Sequence, residues 1–452
     1  MTETLAVLIA GGGAREDAIS RAYERSPRVD RIIIAPGNDF IGYKREKEVI
    51  IDKAGDLKKP QSYLDLARKY HVDLVDVAQD DALAAGTVDL LRANGFAAFG
   101  PTKAAARLEW DKKWSRQFMK RNNIPHPQFR YFDSEEPAVA YLAELYTYYP
   151  KKLVYVKATG LCAGKGALDS SNLDKALENA RKMKGFDEAG REFLVEDGMI
   201  GEEFSSYAIS DGKDYFIFKS AQDNKRVYNF DAGDQTGGMG AISPSMAADA
   251  HRADIDELLV SRAINGMAAE GVPFEGILYV GGMAIDRSVM NVEWPVMNVE
   301  YNARWGDPEG QEVLPGIKTD YASIILACLA KKLKSVDIQQ DNKTRVCVVG
   351  ASRGYPNDYS TVKGKRIFGL EKAMEMEGVT VLGAGIEVRD GKFLAKGGRL
   401  FNVIGEGNNI LEAKQRAYAA IAHVGIEGNN LHYRTDVGWR DVERFLKALQ
   451  VS

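Results

Sequence analysis

Leu5-Ala6-Val7-Leu8-Ile9-Ala10-Gly11-Gly12-Gly13-Ala14-Arg15-Glu16 carries an unbroken apolar run into three glycines and then into a helix-forming stretch. A parallel strand covered on both faces needs such a run, and the glycines let the backbone turn tightly out of it. Residues 16–25 read as the helix that follows. Residues 31–35 read as a second strand, ending in Pro36-Gly37-Asn38, which forces a turn. Further helix–strand units occupy 63–78 and 86–99. The alternation predicts a doubly wound α/β domain.

Outward from that domain the pattern changes twice. Gly100-Pro101-Thr102 punctuates its end, a charged helical stretch covers 103–122, and Ile124-Pro125 stops it. From Leu153 onward β-like runs dominate, at 153–156, 193–195, 204–209 and 215–218. The repeat Met290-Asn291-Val292-Glu293 and Met297-Asn298-Val299-Glu300 reads as the two arms of one β-hairpin. A last segment opens with a strand at 345–350 and leads to a helix at 410–423. A length of 452 residues suits three such units. A net charge of −4 offers no basic surface for nucleic acid or anionic membrane, so any cationic site is local. The apolar run at 322–330 is far short of the ~20 residues a membrane span needs. Three widely spaced cysteines point to a reducing cytoplasm, and none of the five histidines pairs with a cysteine at zinc-ligand spacing.

Four loops carry candidate chemistry. Gly11-Gly12-Gly13 lies between strand and helix, where backbone N–H groups and the positive helix end attract an anion; a plain tight turn is the alternative. A dinucleotide site is disfavoured, because Glu16 stands where the third glycine belongs and the second strand ends without an acid. Gly160-Leu161-Cys162-Ala163-Gly164-Lys165-Gly166 lacks Walker spacing, and Gly166 replaces the Ser/Thr that would meet magnesium. It reads as a mobile β-turn-β lid around a triphosphate, with Lys157 as a point charge on phosphate. Gln235-Thr236-Gly237-Gly238-Met239-Gly240-Ala241 is a second glycine-dense loop, suited to a very small ligand or a phosphate. In Val299-Glu300-Tyr301-Asn302-Ala303-Arg304-Trp305-Gly306-Asp307-Pro308-Glu309, strand alternation puts Glu300, Asn302 and Arg304 on one face. A carboxylate beside an amide oxygen suits a hard cation such as Mg²⁺, and Arg304 suits a phosphoryl group or a carboxylate. The polar face of an exposed strand is the alternative reading. No Cys/His or Ser/His pair suggests a covalent nucleophile.

Taken together and in order, these segments resemble the phosphoribosylamine–glycine ligase family of the ATP-grasp superfamily along nearly the whole chain. The residues that carry the resemblance include Gly12-Gly13-Ala14-Arg15-Glu16, Ala35-Pro36-Gly37-Asn38, Gly100–Ala106, Lys157-Ala158 with Gly160–Gly166, Gln222-Asp223 with Lys225-Arg226, and Thr236–Pro244. Glu300–Glu309, Gly354-Tyr355-Pro356, Gly397-Gly398-Arg399 and Tyr433-Arg434 with Asp436 and Gly438 complete it. The resemblance implies an N-terminal α/β substrate-binding domain over 1–103 and an ATP-grasp domain over 104–335, with a mobile lid around 123–198. A small β-rich C-terminal domain over 336–452 completes the implied architecture. It also implies ATP-dependent ligation of glycine to 5-phosphoribosylamine in purine biosynthesis, with Mg²⁺ or Mn²⁺, in a cytoplasmic monomer or homodimer. By the same resemblance Lys112, Lys157, Gly164, Lys165 and Gly166 meet the ATP phosphates, Glu196 lies at the adenine hinge, and Glu203 holds the ribose hydroxyls. Glu300 and Asn302 are the metal ligands, while Arg304, Asp307 and Lys225 serve catalysis. Gly12, Gly13, Arg15 and Asn38 lie near phosphoribosylamine, and Gly238, Met239 and Gly240 near glycine.

The chain also departs from the family pattern. Asp17 replaces a histidine, Gln79-Asp80-Asp81 replaces a Gly-Pro-Glu loop, and Thr159 replaces an acid. Gly233-Asp234-Gln235-Thr236 stands for Gly-Pro-Asn-Thr, and Gly383-Ala384-Gly385 for His-Ala-Gly. A ligase of a different acid and amine, and a non-catalytic nucleotide-binding protein, are the two rival readings.

Overall fold

The computed structural model describes residues 4–162 and 166–451 of the protein. Its first sheet contains β1 (Leu5–Gly11), β2 (Val29–Pro36), β3 (Glu48–Ile51), β4 (Leu74–Val77) and β5 (Ala97–Phe99). All pairs are parallel, in the order β3-β2-β1-β4-β5. Along β1, Ala6, Leu8 and Ala10 enter one core while Val7 and Ile9 enter the other. Burial on both faces is why this strand is apolar throughout. The strand order reverses between β1 and β4, and the crevice beyond their carboxyl ends is where such sheets bind ligands.

The stretch expected to form one helix over 103–122 is two, Arg107–Trp110 and Lys112–Arg121. Asp111 breaks it, because its carboxylate accepts a hydrogen bond from the Trp114 amide at 2.9 Å and caps the second helix. Lys112 thereby begins a helix, and its own amide donates to Thr159 O at 3.0 Å.

Residues 129–197 form a separate antiparallel sheet, ordered Phe129–Phe132, Phe193–Asp197, Val154–Ala158 and Ala167–Ser170. Helices Glu135–Tyr148 and Leu173–Lys182 pack on it around their own core of Leu142, Val154, Val156, Phe193 and Val195. A second antiparallel sheet runs Tyr215–Ile217, Gly201–Asp211, Glu275–Ile285, Val296–Asn302. Here the expected hairpin is corrected. Residues 290–293 lie in the connection, and the true partner of Val296–Asn302 is the long strand Glu275–Ile285. Pro295, which has no N–H to donate, begins the second arm's approach. The first arm is instead the longer and almost wholly buried run.

The C-terminal sheet orders Gln222–Asp223, Gly240–Ser243, Thr344–Ser352, Arg399–Gly407 and Val379–Gly383, with Leu431–His432 on Thr344–Ser352. Two short strands from the middle of the chain therefore extend the C-terminal sheet. The helix Ile410–Ile421 covers it.

The N- and C-terminal parts meet at Asp17, which is fully buried. Its carboxylate accepts from the Gly383 amide at 2.9 Å and from Arg21 Nε at 2.9 Å, with Arg45 at 3.5 Å. Removing one member of such a buried set strands the others. Asp17→Ala is expected to cost about 3 kcal/mol, read as a lowered urea midpoint. An unchanged midpoint would show that the joint bears no load.

Candidate active site

The four sheets enclose one cleft of about 450 Å³. Arg15, Gln79 and Asp80 line it from the switch point of the first sheet, and Lys157, Gly166 and Glu196 from the second. Glu203, Tyr279, Glu300, Asn302 and Arg304 line it from the third sheet and its following loop, and Arg399 from the C-terminal sheet.

At one end sits a triad of buried charges. Glu196 is 1% exposed and receives Lys157 Nζ at 2.6 Å together with a bidentate pair from Arg116. Burial pushes the Glu196 carboxyl up, but Arg116 and Lys157 outweigh it and hold the group at about 2. Burial pulls Lys157 below the ordinary lysine range, and Glu196 opposes that pull. Arg116 also donates to Val299 O at 2.6 Å. That carbonyl is available because Gly281 pairs with Glu300 and Gly282 with Asn298, leaving Val299 as the extra residue of a bulge. Met199, Met283 and Val299 line the same cleft as an apolar wall suited to a flat ring. Lys112 also lines it, with Nζ 3.5 Å from Gly160 O. Gly164 and Lys165, expected on the lid, lie outside the described residues, as does Ala163.

Toward the centre, Glu203 pairs with Lys225 at 3.0 Å. Among the described residues no hydrogen bond or ion pair engages the Glu300 carboxylate. Burial would raise its pKa, but Lys225, Lys112, Lys157 and Arg304 hold it below the ordinary value. Arg304 pairs with Glu109 at 2.7 Å, and Glu109 Oε2 accepts the Ala303 amide at 2.8 Å. Burial drives Glu109 to about 7 against the pull of Arg304. The buried Arg304 Nε has no hydrogen-bond partner among the described residues. Among those residues no group of three or more His, Cys, Asp or Glu side chains forms a metal cage. Glu300 and Asn302 nevertheless present two hard oxygen donors, which fits a cation that takes its remaining ligands from phosphates and water.

At the far end Arg399 Nη2 binds Asp307 Oδ2 at 2.7 Å, and its Nη1 binds Gly237 O and Asp307 O. The Gly237 amide donates to Tyr355 Oη at 3.1 Å.

The residues expected near the substrates are placed as follows. The amides of Gly12 and Gly13 donate to Glu16 Oε2 at 3.1 and 2.6 Å, so the anion at this helix start is the chain's own carboxylate. Arg15 is buried, bound to Glu16 at 2.7 Å and Trp305 O at 3.1 Å, yet still borders the cleft. Asn38 does not line the cleft. Its amide nitrogen donates to Gly12 O and Gly383 O, and its Oδ1 accepts from the Phe40 amide. Gly238, Met239 and Gly240 also lie behind the cleft wall, which Gln235, Thr236 and Gly237 form. The Gly238 and Met239 amides are spent on Thr236 Oγ1 and Asn224 O, and Gly240 lets the strand press against Cys347 O and Val437. Arg226 pairs with Asp169 instead of turning inward. Sequence reasoning missed Arg116, Glu109, Asp223, Glu309 and Arg399 as site residues, although three of them stand inside the quoted motifs.

Comparison with known proteins gives consistent matches. Family models of phosphoribosylglycinamide synthetase match in three consecutive pieces: the N domain over residues 5–109, the ATP-grasp (A) domain over 110–310 and the C domain over 345–440. The phosphoribosylamine–glycine ligase of Caldanaerobacter subterraneus is 36% identical over 95% of this chain and 99% of its own length. That of Pseudomonas aeruginosa is 37% identical over 97% and 98%. The crystal structure of phosphoribosylamine–glycine ligase from Thermotoga maritima superposes with a TM-score of 0.78 at 26% identity, covering 96% of this chain and all of that one. The biotin carboxylase domain of Hydrogenobacter thermophilus 2-oxoglutarate carboxylase superposes with a TM-score of 0.70; at 15% identity, that likeness concerns the fold alone.

The Glu196 triad yields a pH prediction. A carboxyl held at about 2, against 4.5 ordinarily, contributes stability that is complete above about pH 4.5 and lost as the pH falls toward 2. Glu196→Gln is therefore expected to unfold more easily than wild type at pH 7, by about 3 kcal/mol. The gap in denaturation midpoint should narrow as the pH drops below 4.5. A gap independent of pH would assign the loss to shape, not charge.

Proposed function

The chain belongs to the phosphoribosylglycinamide synthetase family, and from that premise we propose how its cleft performs the ligation. It is an ATP-dependent carboxylate–amine ligase that joins glycine to 5-phosphoribosylamine, a step of purine biosynthesis. The observation that carries the residue assignments is that Lys112, Lys157, Glu300, Asn302 and Arg304 border one cleft, although they come from three different elements.

ATP lies with its base against Met199, Met283 and Val299, and the Val299 bulge beside Arg116 fixes the edge of that pocket. Glu196 keeps Lys157 charged and pointed inward, so its role is to position the lysine and not to touch the base. Glu203 and Lys225 flank the ribose and phosphates. Glu300 and Asn302 would hold Mg²⁺ or Mn²⁺, which would supply charge neutralisation at the phosphates. The glycine carboxylate attacks the γ-phosphorus in line, ADP leaves, and an acyl phosphate forms. Arg304, which borders the cleft, stabilises the transferring phosphoryl group. The amine of phosphoribosylamine then attacks the acyl carbon, and phosphate departs with the bond to its bridging oxygen. Phosphoribosylamine enters from the switch point, between Arg15, Asp80 and Arg399, where Asp80 suits the ribose hydroxyls. Glu109 accepts the proton that the attacking amine loses; its elevated pKa keeps it basic enough near neutrality. The cytoplasm is the compartment we propose, in keeping with three unpaired cysteines.

ADP release with glycine and freshly generated phosphoribosylamine, run beside alanine and other amines, tests the substrates. Turnover with a different pair but none with the first would move the chain to a different acid and amine. Glu300→Gln should lower turnover at least about 100-fold with an unchanged melting profile, since one anionic metal ligand is gone. Near-normal turnover at saturating Mg²⁺ would overturn the metal assignment.

A further inference from the structure

Arg226 follows Lys225 directly, yet the two side chains part. Lys225 borders the cleft, while Arg226 leaves it and donates through Nη2 to Asp169 Oδ1 at 3.0 Å. Asp169 lies on Ala167–Ser170, the edge strand of the second sheet. It pairs in register with Tyr155, as Ala167 does with Lys157. Directly opposite residues share a face, so Asp169 stands on the face that carries the cleft residues Tyr155 and Lys157. The remaining links of this sheet run elsewhere. Lys113 pairs with Glu192 at 2.8 Å, Arg116 with Glu196, and the Lys112 amide donates to Thr159 O. All three belong to the helix Lys112–Arg121. Among the described residues, Arg226–Asp169 is the only ion pair that ties residues 129–197 to anything beyond that helix.

The hairpin that presents Arg226, made of Arg226–Tyr228 and Ala232–Gln235, is anchored to the C-terminal part of the chain. Arg434 is fully buried, and its Nη1 donates to Arg226 O at 3.1 Å and to Asp231 at 2.9 Å. The Phe230 amide donates to Asp436 at 2.7 Å, and Arg440 binds Asp231 at 2.7 Å. These bonds hold Phe230 and Asp231 at φ of +56° and +57°, a left-handed pair that non-glycine residues rarely adopt. Arg226 Nη1 itself donates to Gly233 O at 2.9 Å, which aims the guanidinium. At its other end the hairpin runs into Gln235, Thr236 and Gly237, which line the cleft. One fixed element thus grips the second sheet and carries part of the reaction chamber's wall.

We propose that Arg226 is a positioning residue for the ligation: by gripping Asp169 it latches the second sheet over the cleft and keeps water from the acyl phosphate. The inference rests on the ligase reading above and adds what holds the chamber shut. An acyl phosphate has two fates. The amine attacks the acyl carbon, the bond to the bridging oxygen breaks, and amide and phosphate result. If water attacks the same carbon, the same bond breaks, and the acid and phosphate are returned with ATP consumed for nothing. The strength of the pair suits a latch. Both side chains are part-exposed, so the pair shifts an equilibrium between open and closed by a few fold and does not lock it. Arg116–Glu196 is the opposite case. It is buried, and parting it would leave two charges unpaired, which suits the side that stays attached.

Arg226→Met removes the charge and keeps the stem, and Asp169→Asn removes the partner's charge at constant size. Amide formed and ADP released are measured together in the full-length enzyme with glycine and phosphoribosylamine. In each variant the share of ADP released without amide should rise about 3- to 5-fold over wild type, and KM for ATP should rise by a similar factor. A merely structural pair would lower the melting temperature and leave the ratio of amide to ADP alone. The double variant Arg226→Asp with Asp169→Arg rebuilds the pair in reverse and should return that ratio most of the way to wild type. If Arg226→Met does not fold, Asp169→Asn decides, because its loss leaves the hairpin and its anchors intact. An unchanged ratio of amide to ADP in the single variants overturns the inference, and so does a double variant no better coupled than either single. No turnover by wild type with glycine and phosphoribosylamine would instead overturn the ligase reading itself.

Discussion

Arg399 joins pieces of chain that lie far apart in sequence, and the geometry of the cleft depends on that single guanidinium. It belongs to the C-terminal sheet, yet it reaches across 162 residues to Gly237 O and across 92 residues to both the carbonyl and the carboxylate of Asp307. A planar fork with several fixed donors can hold a carbonyl and a carboxylate at once, which a lysine cannot. Burial lowers the Arg399 pKa, but Asp307, Tyr355 and Asp223 raise it further still, so the charge is secure. From this point the glycine-rich loop is pinned over Asp223. The loop carrying Arg304 is pinned beside Glu109, and the C-terminal domain becomes a wall of the site.

The same economy of charge runs through the rest of the cleft. Bringing many ionised groups out of water is unfavourable unless each finds a partner. Lys157 has Glu196, Lys225 has Glu203, Arg304 has Glu109, and Arg15 has Glu16. Among the described residues the Glu300 carboxylate has no ion-pair partner, and the buried Arg304 Nε and Asp223 Oδ1 have no hydrogen-bond partner. Glu300 and Arg304 lie where we propose that a cation and the transferring phosphoryl group bind. An enzyme that works by positioning and electrostatics keeps its unmet valences for its substrates.

Much of this was legible in the sequence, and the misses have a common cause. Period and composition located the parallel sheet because a doubly buried strand has to be apolar throughout, as β1 is. The face shared by Glu300, Asn302 and Arg304 followed from strand alternation. What escaped was long-range partnership. Glycines 12 and 13 looked like an open anion site, but only the folded chain shows Glu16 curling back onto their amides. Gly238 and Gly240 looked like ligand contacts, whereas the lack of a side chain there serves packing against Pro308 and Cys347. Arg116 was invisible because its partners lie 80 and 183 residues away. The paired strands of residues 275–302 were misassigned since a repeated tetrapeptide outweighed a longer, plainer apolar run.

The departures from the family pattern also divide once their positions are known. Asp17 and Gly383 are neighbours: the carboxylate of one accepts the amide of the other, and neither lines the cleft. A side chain at 383 would meet Phe40, with its Cβ 2.5 Å from that ring's Cδ1. Where the family pattern has a histidine at each position, this chain has a short acid facing a bare backbone. The two changes fit one another as one joint between the N- and C-terminal domains. Gln79 and Asp80 are different. They border the cleft beside Arg15, and burial of the Asp80 carboxyl is outweighed by Arg304 and Arg15, which keep it ionised. Among the described departures, Gln79, Asp80 and Gln235 are those whose side chains border the cleft, so a changed side chain meets the ligand space directly there.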